Sequence, residues 1–76
     1  MALLVYYKRI RENDAEVEYL YGGDKDALQD VLIIEKGSRR LRSDQVSNHL
    51  MVAAAAKIVS QAAREGRWPG FGVRAS

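Results

Sequence analysis

A chain of 76 residues makes one small domain, and its 12 Lys or Arg against 10 Asp or Glu leave a formal net charge of +2. Below about 70–80 residues a single core rarely supplies more than roughly 3–5 kcal/mol of net stability, so a further source of burial is expected. With no cysteine and a single histidine, His49, disulfides and thiolate metal sites are excluded, no cofactor is expected, and association with another chain remains as the staple.

The opening "MALLVYYKRI" carries no cationic leader before its apolar run, which stops at Lys8, so it reads as a strand over about 2–10 and not as a secretory signal. "REND" supplies turn chemistry, and "AEVEYLY" predicts a second strand over 15–21. That turn pairs Arg9 with Glu16, Tyr6 with Tyr19 and Leu4 with Tyr21, which places an ion pair and an aromatic pair directly across the ladder. Leu4, Tyr6, Ile10, Ala15, Val17, Tyr19 and Tyr21 then form the core face, with Lys8 extending its stem along the edge. Leu3, Val5 and Leu20 fall on the opposite face.

"GGDKDALQD" reads as a loop in which Asp24 or Asp26 caps a turn. Its Asp24, Asp26 and Asp30 have a cation-loop spacing, but of Leu28 and Glu35, at the fifth and twelfth places, only the second could serve as an oxygen ligand, and the central glycine is absent, so turn roles suffice. "VLIIEK" predicts a third strand over 30–36. Val31 and Ile33 point one way, Leu32 and Ile34 the other, so both faces of this strand ask to be buried.

The connector 37–43 holds "SRRLRS". Residues 1–36 carry five Lys or Arg against eight Asp or Glu, whereas residues 37–76 carry seven against two. Arg39, Arg40 and Arg42 could clamp phosphates, and a three-stranded sheet with one helix is an arrangement used by some DNA-binding modules. Glu16 and Glu18 on the sheet are the wrong sign for a groove, so nucleic-acid binding is the alternative and a solvated or subunit-contacting connector the first reading. The four tyrosines suit cross-strand packing better than base stacking.

An amphipathic helix is predicted over 44–65, capped by Ser43 or Asp44 and stopped by Gly66. Met51, Val52, Ala55, Ile58, Val59 and Ala62 share its apolar side, and four consecutive alanines make that side shallow. Leu50 falls on the polar side, so it lies either at a frayed start or in a contact that one copy does not provide. His49 has no Ser or Cys partner in a recognisable motif and there is no phosphate loop, so the chain is read as non-enzymatic. The longest apolar run of the second half, "LMVAAAA", is far short of the roughly 20 residues that span a bilayer. A cytoplasmic protein with no membrane contact is expected.

The tail 66–76 contains the chain's only Trp, Pro and Phe. Trp68 and Phe71 would supply the large apolar area that an alanine-rich helix lacks. "LLVYYKR", "VEYLYG", "VLIIEK" and the closing "GRWPGFG" together resemble a group of short uncharacterised actinomycete proteins in which a W-P-x-x-G-like ending follows a helix. Trp68, Pro69 and Gly72 occupy those places, and the resemblance implies an architecture without implying a catalytic residue or cofactor.

The expectation is therefore an α+β domain: a three-stranded antiparallel sheet, one long amphipathic helix and an ordered aromatic C-terminal tail. It acts as a homodimer in an interaction or regulatory role, with a larger protein partner allowed. Leu3, Val5, Leu20, Leu32, Ile34, Leu50, Trp68 and Phe71 are the candidate interface or core-closing residues. The sheet's second face would be covered by a second copy or by the tail.

Overall fold

A computed structural model describes residues 4–24, 26–42 and 48–75. Five strands and one helix follow in chain order: β1 (Leu4–Glu12), β2 (Glu16–Gly22), β3 (Asp30–Glu35), β4 (Arg40–Leu41), α1 (His49–Glu65) and β5 (Phe71–Ala75). The sheet is antiparallel throughout, with spatial order β4-β3-β2-β1-β5. The α+β class and the single helix stand as expected, but the sheet has five strands and not three. The connector contributes the short β4, and the tail contributes β5, which pairs with β1 at the far edge.

The β1–β2 register also differs from expectation. Asn13 closes a tighter turn than "REND" would: its Oδ1 accepts from the amides of Ala15 (2.8 Å) and Glu16 (2.9 Å), and its own N–H donates to the Glu16 carbonyl (3.0 Å). β1 therefore runs on to Glu12, Tyr7 lies opposite Tyr21, and Arg9 lies opposite Tyr19. Relative to the expected pairing this is an odd shift up to Arg9, and an odd shift moves those β1 side chains to the other face. Val5 and Tyr7 are the core residues; Leu4 and Tyr6 are on the open side.

A bulge between Arg9 and Arg11 completes the correction. Beyond it Arg11 lies opposite Glu18 and Glu12 opposite Val17; carried without the bulge, that register would bring Lys8 opposite Tyr21, inside the core. One extra residue thus keeps a lysine out and a tyrosine in.

The helix covers one side of the sheet and touches all five strands. Val5, Tyr7, Val17, Tyr19, Tyr21, Leu32 and Ile34 of the sheet meet Met51, Ala54, Ala55 and Ile58 of α1. The alanines let the helix approach closely, and three fully buried tyrosines fill the space from the sheet side. Asn48, and not Ser43 or Asp44, caps the helix: its side chain accepts from the Met51 amide at 2.9 Å. The expected caps lie outside the described residues. Gly66 ends the helix at φ 76, a left-handed conformation that glycine tolerates, and its N–H donates to the Ala62 carbonyl.

Candidate interaction surface

The side of the sheet that α1 does not cover is assembled by strand register. Residues directly opposite in a ladder share a face, so Tyr6, Gly22 and Val73 lie together, as do Lys8, Leu20, Val31 and Phe71. Leu4 is 40%, Val31 41%, Val73 44% and Phe71 76% exposed. Leu20, Ile33 and Tyr6 on the same side are half-buried. Soluble domains rarely gather this much large apolar surface without using it.

Beside these residues the loop after β2 brings Leu28 and Asp26 up against the sheet. Tyr6, Lys8, Asp26, Leu28, Phe71 and Val73 line an open groove of about 590 Å³. At the other end the same face is ionic. Arg11 donates from Nε to Glu18 (2.7 Å) and from Nη2 to Glu16 (2.7 Å), and Arg42 Nη1 approaches Glu16 at 3.4 Å. The hydrogen bond from Arg11, ahead of its charge and that of Arg42, holds the Glu16 carboxyl below the usual range.

The helix side of the sheet holds buried tyrosine hydroxyls, each with a hydrogen-bond partner. The Tyr7 hydroxyl donates to Gln61 Oε1 at 2.6 Å, and the Tyr19 hydroxyl to the Pro69 carbonyl at 2.6 Å. The two rings meet edge to face, 6.0 Å apart. Asn48 Nδ2 donates to the Tyr21 hydroxyl at 3.3 Å. Arg9 Nη1 donates to the Trp68 carbonyl at 3.0 Å, so the turn after α1 is pinned from two strands.

The residues singled out in the sequence are divided between these two sides. Val5, Leu32 and Ile34 are fully buried beneath the helix, so Val5 does not share an outer face with Leu20. Leu50 packs at the margin of the same core, which supplies the contact that its polar-side position left open. Trp68 is half-buried there as well, whereas Phe71 is the most exposed large apolar residue described and closes nothing on its own subunit. Leu20 lies on the open face, and Leu3 is outside the described residues. The tail therefore does not cover the second face: Phe71 and Val73 extend it.

Arg39 and Arg40 are exposed, Arg39 at the positive-φ position of the turn before β4, while Arg42 reaches back to Glu16. Arg39 lines a shallow hollow with Lys36, Arg67 and Trp68 beside the helix end, away from the open face. His49 is exposed at the first position of α1. Asp24 serves its own turn, with Oδ1 accepting from the Asp26 amide and the carbonyl from Ala27. Among the described residues no three His, Asp or Glu side chains converge as a metal site would require, and no helix is long and apolar enough to cross a membrane.

Leu4, Tyr6, Val31 and Val73 were not among the sequence candidates for an interface. The signal that could have found the last of them is the alternation Phe71-Gly72-Val73, a short strand pattern disguised by Gly70 before it and Gly72 within it. Comparison with family models, with curated proteins and with solved structures finds no match.

Proposed function

We propose that this chain is a small non-enzymatic interaction module that acts as a homodimer, with the contact at the β5 end of its sheet, where the open face is most apolar. The carrying observation is that Leu4, Val31, Phe71 and Val73 stand exposed together on the side opposite the helix. A second copy is the fitting occupant because the ionic end of the face neutralises its own charges, leaving nothing there to repel an identical surface. A non-catalytic role is supported by the buried hydroxyls of Tyr7 and Tyr19, each engaged in a short hydrogen bond. The absence of cysteine favours the cytoplasm.

The alternative use of Arg39, Arg40 and Arg42 on nucleic acid gains no specific support, because Arg42 faces Glu16 while Arg39 lines the hollow at the helix end. Sedimentation velocity at high micromolar concentration is expected to show a dimer. Phe71→Asp, at an exposed position that leaves the core intact, is expected to shift the population to monomer with an unchanged circular dichroism spectrum. A wild-type chain that stays strictly monomeric overturns the proposal.

A further inference from the structure

The two edges of the sheet are built differently. One edge, β4, is only two residues long and is preceded by Arg39 at φ 57, a short and charged end of the kind that discourages pairing. The other, β5, runs for five residues, "FGVRA", and among the described residues has a neighbour on one side only.

Backbone geometry says which of its groups point outward. The Arg9 amide donates to the Gly70 carbonyl at 2.8 Å, and the same register carries on through Tyr7 opposite Gly72 and Val5 opposite Arg74. Hydrogen-bonded and non-bonded pairs alternate along an antiparallel ladder, so Gly72 and Arg74 exchange bonds with β1, while the N–H and C=O of Phe71, Val73 and Ala75 are directed to the outer edge. The most exposed apolar side chain and the outward backbone groups thus belong to the same short strand.

We infer that two copies of this chain join through this edge, β5 against β5 in antiparallel register about a two-fold axis at Val73, making one continuous sheet. The inference rests on the homodimer reading above and specifies its contact. A centre at Val73 is the only one that keeps the outward groups in register and overlaps all five residues of both strands. It sets Val73 opposite Val73, Phe71 opposite Ala75 and Arg74 opposite Gly72, so Phe71 and Arg74 each meet a small residue and no arginine faces its own copy. Two hydrogen bonds form at the central pair and two at each Phe71–Ala75 pair. The open faces become contiguous across the axis, with the groove of Tyr6, Leu28 and Phe71 repeated on either side.

Amide hydrogen exchange measured at low and at high protein concentration, with sedimentation velocity on the same samples, tests this contact. The amides of Phe71, Val73 and Ala75 are expected to gain protection with concentration, whereas those of Gly72 and Arg74, bonded to β1, are protected at both. Val73→Pro removes a donor that β1 does not use and is expected to weaken dimerisation about tenfold or more while leaving the Gly72 amide protected. A dimer in which the three outward amides exchange equally at both concentrations overturns the edge pairing and leaves the homodimer standing. A monomer at all concentrations overturns both.

Discussion

Tyr7 and Tyr19 show how much of this molecule rests on single side chains. Each is inward on its strand and fully buried, and each spends its hydroxyl on a partner fifty or more positions away in the chain, Gln61 and the Pro69 carbonyl. Burial pushes both phenols above the ordinary value of 10.0; for Tyr7 the nearby Glu65 adds to the rise and Arg64 opposes it. The folded state therefore holds these protons more tightly than the unfolded chain does. Their contribution to stability is complete below the ordinary value and is lost as pH rises through their raised values. In an alkaline titration, tyrosinate absorbance from Tyr7 and Tyr19 is expected to appear only together with loss of the near-ultraviolet circular dichroism. Ionisation of all four tyrosines in a protein that keeps its tertiary signal is the contrary result. That Tyr19 is inward was legible from the alternation of "VEYLY"; that Tyr7 and not Tyr6 joins it was not, because two adjacent tyrosines leave the parity open.

At the scale of elements, that parity is decided by a turn and a bulge. Asn13 tightens the hairpin, and the extra residue between Arg9 and Arg11 lets an ionic register near the turn coexist with an aromatic register further along. The expected pairing had sought both in one unbroken ladder. β5 depends on the same outcome, since Gly72 lies opposite Tyr7, whose ring fills the space a side chain there would need. A Cβ at position 72 would sit 2.6 Å from Tyr7 Cζ, and the ring is anchored by Gln61, so it cannot swing aside freely. Gly72→Ala is expected to lower unfolding free energy by about 1–3 kcal/mol in a denaturant titration with an unchanged slope. A value within error of wild type would mean that β5 is not seated on β1 as described. The glycine was noticed in the sequence as part of a W-P-x-x-G-like ending, but its reason is a phenol on the neighbouring strand.

For the whole molecule, the decisive feature is that one helix covers one side of a five-stranded sheet. In the proposed homodimer, a 76-residue chain with that much apolar surface left over would gain stability from self-association, and mass action would make the gain depend on concentration. The thermal midpoint is expected to rise as protein concentration is increased from low to high micromolar, and the rise is expected to vanish in Phe71→Asp. A midpoint independent of concentration in the wild type would count against the dimer. Residue types and periodicity were enough to determine the α+β class, the three long strands and the helix with its Gly66 stop, because these follow from local preferences. Tertiary structure alone decided which face of β1 is inside, that the tail is a fifth strand, and that Trp68 closes the core while Phe71 stays outside. Those outcomes turn on pairing between segments distant in the chain, where a shift of one residue exchanges the two faces of a strand and no local preference opposes it.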